Sequence, residues 1–356
     1  MEHVTQLHRK HLIRLLNGES LERKKRQTPR GRTYGLEVER VILQVWESLD
    51  YICAERLTPS LVKTAKHLAR FGVLVLSAEV ESHLARISVA TVERLLRKNR
   101  SRKARLPRPG PRRANQVTKG VPMKRIAWDI SEAGHFEVDL VHHSGESSAG
   151  EYGHTLQLID VATGWSERVM LVGRSYQAMR EAFEQVSKRV PFAIKELHPD
   201  NGPEFFNWHL VRFWHEKVSG VHLSRSRPYH KNDNRNVEQK NDTLVRQYFG
   251  DLRLEGPEQI AAGNRLYEQM WLYYNLFQPV MHLRTKTMDG DKVRRSWDEA
   301  QTPYERLTAT GVLSQDQQLR LQALYEQTNP LHLREEIYAG LALVWEQACG
   351  QDAPAA

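Results

Sequence analysis

His135-Phe-Glu-Val-Asp-Leu-Val-His142 alternates along its length, with Phe136, Val138 and Leu140 on one side and Glu137 and Asp139 on the other. A period of two is the signature of a strand with one apolar face. Residues 155–161 and 167–172 read as two more strands. They are joined through Ala162-Thr-Gly-Trp165, a glycine-containing connection of hairpin length. Residues 175–190 read as a helix capped by Ser175, and residues 193–197 as a fourth strand. A helix over 208–217, a fifth strand over 221–224 and a helix over 237–249 that stops at Gly250 complete the segment. The order β-β-β-α-β-α-β-α predicts a mixed α/β domain.

Three carboxylates stand out in this frame. Asp139 lies on the first strand. Asp200 lies in His198-Pro-Asp-Asn-Gly-Pro-Glu-Phe205, where Asn201 and Gly202 favour a turn. Glu238 lies in Arg227-Pro-Tyr-His-Lys-Asn-Asp-Asn-Arg-Asn-Val-Glu-Gln-Lys-Asn241, at a helix start for which Asn236 is the expected N-cap. Converging carboxylates repel and raise each other's pKa unless hard cations relieve them, and oxygen ligands suit Mg²⁺ or Mn²⁺. Singly, each acid also fits a plainer role, Asp200 as a turn residue and Glu238 as a first-turn acid favoured by the helix dipole.

Glu137-Val-Asp-Leu-Val141, Leu158-Ile-Asp-Val-Ala-Thr-Gly-Trp165, Asp200-Asn-Gly-Pro-Glu-Phe205, Arg227-Pro-Tyr-His-Lys-Asn-Asp-Asn234 and Val237-Glu-Gln-Lys-Asn241 together resemble the DDE transposase and retroviral-integrase superfamily. The likeness is to bacterial insertion-sequence transposases with an integrase catalytic core. It is strong over residues 130–250 and weaker in the flanks, where it includes Thr302-Pro-Tyr-Glu-Arg306. The resemblance implies a ribonuclease H-like core with a five-stranded mixed sheet. It also implies that Asp139, Asp200 and Glu238 are catalytic ligands of two divalent ions, Asp139 bridging both. Such a site hydrolyses 3′ ends and then joins each 3′-OH to target DNA, with no covalent protein–DNA intermediate. The implied partners are terminal inverted repeats, target DNA and further copies of the chain, with no small-molecule cofactor. Glu137, Glu204 and Asp160 take no catalytic role in the resemblance, and Asp242 is expected to face solvent or cations. His142, His143 and His154 lack metal-ligand spacing and are expected to be structural.

The net charge of +9 is concentrated. Thirteen Lys and Arg residues and no acid lie between Arg94 and Arg125, leaving −4 for the remainder. A concentrated cationic tract is the electrostatic footprint of nucleic-acid binding, although basic linkers also occur without such a role. Pro107, Pro109, Gly110 and Pro111 mark it as a linker. Ahead of it, residues 36–100 read as helices, including one over 59–71 and two short ones over 77–84 and 88–98 joined by Ala85-Arg-Ile87. The short pair reads as a helix-turn-helix, with Ser88, Thr91 and Arg94 toward bases or phosphates and Arg97 and Lys98 behind them. A plain helical bundle with a cationic last turn is the alternative. In the core, Arg227, Tyr229, His230, Lys231 and Arg235 would grip the scissile strand, with Lys240 and Arg246 extending that surface.

The expected organisation is therefore a helical DNA-binding region (1–100), a basic linker (101–129), the catalytic core (130–252) and an α-helical C-terminal region (253–356) with a break around 280–298. Aromatic residues Tyr267, Trp271, Tyr273, Tyr274 and Phe277 are read as packing. No apolar run is long enough for a membrane span, no secretory signal is present, and Cys53 and Cys349 are too few for a cysteine zinc site. A reduced bacterial cytosolic protein, associated with the nucleoid when bound to DNA, is the simplest reading. Two alternatives remain: an N-terminally shortened transposase derivative acting as a DNA-binding regulator, and a ribonuclease H-like nuclease without strand transfer.

Overall fold

The computed structural model describes residues 8–18, 34–99, 130–147, 149–199, 205, 221–224, 234–289 and 292–349. Two compact units form, Met1–Leu36 and Glu37–Ala356. The first contains helix α1 (Arg9–Leu16), whose N-cap His8 accepts from the Lys10 amide.

The second unit opens with four helices, α2 (Leu36–Ser48), α3 (Ala54–Arg70), α4 (Ala78–Arg86) and α5 (Val89–Asn99). Helix α3 starts five residues earlier than the expected start at Pro59. The proline is tolerated inside it because the carbonyl it fails to pair belongs to Glu55, an exposed residue near the helix start. Ser77 caps α4 through the Val80 amide, and α4 runs two residues past its expected end, so Ile87 and Ser88 alone connect it to α5. Val80, Leu84, Ile87, Val92 and Leu96 are buried where these short helices pack with α3.

Strands β1 (His135–His143), β2 (Gly153–Asp160), β3 (Ser166–Val172), β4 (Glu196–Pro199) and β5 (His222–Leu223) form one sheet in the order β3-β2-β1-β4-β5. The β1–β2 and β2–β3 pairs are antiparallel, and β1–β4 and β4–β5 are parallel. With flanking helices, this is the mixed five-stranded architecture expected for a ribonuclease H-like core. Strand β4 lies later than the expected 193–197. Its parallel register pairs His135 with Glu196 and Val138 with Pro199, so Ile194 enters the core as a lead-in instead. Helix α6 (Tyr176–Arg189), capped by Ser175, covers one sheet face, packing Met179, Phe183 and Val186 against Phe136, Val138, Leu140, Leu156 and Leu158.

The other face carries Glu137, Asp139 and Val141. It is covered by α7 (Arg235–Lys240), a π-helical stretch (Asn241–Arg246), α8 (Gln247–Phe249) and the long α9 (Pro257–Leu272), which continues as a second π-helical stretch (Tyr273–Phe277). The chain leaves α8 at Gly250 with φ +60°, a left-handed conformation that glycine adopts without strain. The aromatic residues expected to pack do so, since Tyr267, Tyr273, Tyr274 and Phe277 are buried. The C-terminal region is not purely helical. The break near 280–298 contains a hairpin, β6 (Leu283–Asp289) and β7 (Lys292–Trp297), before α10 (Pro303–Thr310), α11 (Gln315–Gln327) and α12 (Pro330–Cys349). Its sequence signal was Asp289-Gly290 between two runs rich in Thr, Val and Arg. Thr302 and Glu305 close a capping box on α10, with Pro303 in its first turn. Tyr273 Oη donates to the Ser48 carbonyl at 2.8 Å, and Arg334 pairs with Asp50 at 2.9 Å, tying α2 to the later helices. No described helix is long and apolar enough to cross a membrane.

Candidate active site

Strand β1 presents Glu137 and Asp139 on the face under α7, as the period of two requires. The two carboxylates do different jobs. Glu137 is 2% exposed. Its Oε2 accepts from the Asn236 amide at 2.7 Å and the Val237 amide at 2.9 Å, and its Oε1 accepts from Asn236 Nδ2 at 2.8 Å. First-turn amides of a helix have no partner within the helix, so a strand carboxylate caps α7. This corrects the expectation that Asn236 is the N-cap. The capping position is Asn234, which makes no side-chain cap bond, and Asn236 lies inside the helix as a donor. Burial pushes the Glu137 carboxyl up to about 7 against the pull of these three donors.

Asp139 sits one residue beyond the last β1–β4 pair, Val138 with Pro199. Its Oδ1 accepts from the Leu140 amide at 2.8 Å and its Oδ2 from Asn241 Nδ2 at 2.5 Å. Burial raises its pKa to about 6. The Leu140 bond opposes that rise, and the neighbouring Glu238 charge adds to it. The fold therefore brings Asp139 and Glu238 into electrostatic contact although 99 positions separate them. Glu238 is exposed on the first turn of α7, and Asn241, three residues on, lies on the same face. The π-helical stretch begins at Asn241, and such widened turns recur at functional sites. Asn241 was legible only as a neighbour of Glu238 by spacing, and its role as a holder of Asp139 was missed.

Asp200 lies outside the described residues, as do Glu204, Arg227, Tyr229, His230 and Lys231. Among the described residues no group of three metal-ligating side chains assembles. The donor chemistry of the part that is described fits a hard divalent cation. It offers a carboxylate whose pKa burial holds high, with a smaller push from the neighbouring Glu238 charge, and an oxygen-seeking ion relieves both.

Of the competing acids, Glu204 lies outside the described residues and Glu137 caps α7. Asp160 is fully buried and takes the Gly134, His135 and Thr163 amides and the Thr163 hydroxyl, fastening the β2–β3 turn. Asp242 is exposed. His143 is buried against the Thr155 hydroxyl at 2.7 Å and burial depresses its pKa to about 3, a packed neutral imidazole.

The proposed DNA contacts divide. Ser88, just ahead of α5, and Arg94, Arg97 and Lys98 on it are exposed. Arg94 donates to Thr91 Oγ1 at 2.9 Å, and the Ser88 and Thr91 hydroxyls lie 3.0 Å apart. Arg235 is half-buried at the start of α7. Lys240 corrects an expectation. Its ammonium sits 4.9 Å over the Tyr274 ring, and burial with Arg56 and Arg168 nearby lowers its pKa to about 7. It turns into the protein because α7 packs across the sheet, which sequence alone cannot orient. The hairpin adds a cationic surface that sequence reading passed over, with Arg284, Arg294 and Arg295 exposed and Trp297 half-exposed.

No protein-family model matches the chain. The uncharacterized protein y4rM of Sinorhizobium fredii (strain NBRC 101917 / NGR234) is 37% identical over 312 residues, covering 85% of this chain and 86% of that protein. Among solved structures, the catalytic core domain of BIV integrase is 18% identical, covers 51% of this chain and 97% of its own, and superposes with a TM-score of 0.33. A likeness that loose carries no argument.

Proposed function

We propose that this chain, which belongs to the family of the uncharacterized Sinorhizobium fredii protein y4rM, is a metal-dependent DNA transposase. In this reading it cuts the 3′ ends of a mobile element and joins them to target DNA. One observation carries the reading: Asp139, on the central strand of a β3-β2-β1-β4-β5 sheet, is electrostatically coupled to Glu238 on the helix laid across that strand. Asp200 follows Pro199, whose register partner adjoins Asp139, and is the proposed third ligand.

Two Mg²⁺ or Mn²⁺ ions, held by Asp139, Asp200 and Glu238, supply charge neutralisation at the phosphodiester when bound. The chain's own residues prepare that site. Asn241 fixes the Asp139 carboxylate, and Glu137 anchors the first turn of α7 and with it the backbone of Glu238. Residues 1–100 bind the element ends through a helix-turn-helix in which α5 is the recognition helix, and residues 101–129 track the phosphates. Residues 130–252 do the chemistry on paired ends in an oligomer, and residues 253–356 brace them.

The test is strand transfer with oligonucleotides carrying the terminal repeats that flank the coding sequence, in Mg²⁺ or Mn²⁺. Wild type is compared with Asp139→Asn and Glu238→Gln, and DNA binding is followed alongside. Joined products from wild type, lost by at least about 10³-fold in both variants while binding persists, support the reading. Metal-independent binding without chemistry in wild type replaces it with a DNA-binding regulator.

A further inference from the structure

A cavity of about 390 Å³ lies behind α7, between the α2–α3 connection, the two π-helical stretches and α12. It is reached by the helix face opposite Glu238, because Lys240, two residues on, is about 200° round the helix. Its charged lining is Asp50, Arg56, Arg168, Lys240 and Arg334. Asp50 is already engaged, by Arg334 Nε at 2.9 Å and Tyr338 Oη at 2.9 Å. That leaves Arg56, Arg168 and Lys240 with no carboxylate partner among the described residues.

Arg168 is the telling group. It is 1% exposed, on the central portion of β3, in register with Gln157 and through it with Asp139. Its Nη2 donates to the Met270 carbonyl at 3.1 Å, while Nε and Nη1 have no hydrogen-bond partner among the described residues. Tyr274 Oη, also buried on the cavity wall, has none either. Ring faces soften the charge: Arg168 Cζ stands 5.6 Å from the Tyr267 centroid and 5.8 Å from that of Tyr274. An aromatic face does not replace a counter-charge, and a buried unpaired cation is costly enough that proteins rarely keep one without an anion to meet it. Arg56, with Nε on the Pro279 carbonyl and Nη2 3.4 Å from Gln278 Oε1, is held at the cavity wall by neutral groups that leave its charge uncancelled.

We propose that this cavity is a binding site for a phosphate group, gripped by Arg168, Arg56 and Lys240 with the Tyr274 hydroxyl as a further donor. A planar guanidinium with Nε and Nη1 still free to donate suits an anion with several oxygens. The volume exceeds what a bare phosphate fills, so the preferred ligand is a phosphate monoester with its organic group beside the tyrosine rings. The site does not depend on the catalytic reading, and its source of phosphate is a free anion or the 5′ end of a DNA strand.

The experiment is thermal unfolding and calorimetry of the full chain in a phosphate- and sulfate-free buffer at constant ionic strength. The probes are inorganic phosphate, pyrophosphate and a thymidine dinucleotide with and without a 5′-phosphate. The expected result is a saturable rise in Tm of at least about 2 °C with phosphate-bearing probes and none with chloride. Arg168→Met abolishes the rise, and Arg56→Gln, at a residue less buried than Arg168, weakens binding at least tenfold. Tighter binding of the 5′-phosphorylated dinucleotide than of pyrophosphate identifies a strand end, and the reverse identifies a free anion. No phosphate-specific rise in wild type, or a rise unchanged in both variants, overturns the proposal.

Discussion

Replacing Glu137 with Gln tests how the site is scaffolded. In the folded protein this carboxyl titrates near 7, against a usual value of 4.5. The folded chain therefore holds a proton between those pH values that the unfolded chain has released. Stability falls as pH rises through that window, because the folded state binds more protons there. At roughly 1.4 kcal/mol per pH unit, about 2–3 kcal/mol is lost between pH 5 and 8. Glutamine keeps an oxygen for the Asn236 and Val237 amides and cannot ionise. The stability difference between Glu137→Gln and wild type, from urea unfolding without metal, should grow by that amount from pH 5 to pH 8 in favour of the variant. Its strand-transfer rate should stay within about threefold of wild type. Glu137→Ala instead strands two first-turn amides, each worth about 1 kcal/mol or more, and frees the backbone before Glu238. It should lose about 2 kcal/mol at pH 5 and at least tenfold in rate. Parallel pH profiles for wild type and Glu137→Gln would refute the buried-cap argument. A folded but inactive Glu137→Gln would make Glu137 a ligand instead of a cap.

Further outcomes follow from the same geometry. Mg²⁺ should raise Tm at pH 8 and do little at pH 5, because Asp139, displaced upward to about 6, must lose its proton to bind the ion; equal shifts at both pH values would exclude Asp139 as a ligand. Lys240→Ala should leave the salt dependence of binding to duplex DNA that carries no 5′-phosphate unchanged, because its ammonium faces the Tyr274 ring. Arg94→Ala and Lys98→Ala should each reduce the slope of log K against log salt by about 1, measured by fluorescence anisotropy. Asp160→Ala, which removes four hydrogen bonds in a buried turn, should destabilise by about 3–5 kcal/mol in urea titrations.

The sequence by itself determined the strands of the five-stranded sheet to within a few residues, the helix starts marked by Ser77, Ser88 and Ser175, and the candidate acids, because period, caps and motif spacing are local properties. It placed Glu137 and Asp139 on one face because a strand's period is two. Which partner each carboxylate would find was decided by tertiary structure. The register of β1 with β4 and the lie of α7 across the sheet give Glu137 to the helix amides and Asp139 to Asn241 and Glu238. The same packing turned Lys240 inward beside Arg168, a residue 72 positions earlier on a different element. Burial and charge proximity belong to the packed chain and have no counterpart in the linear one. That is why the acids were legible from sequence and the cationic cavity was not.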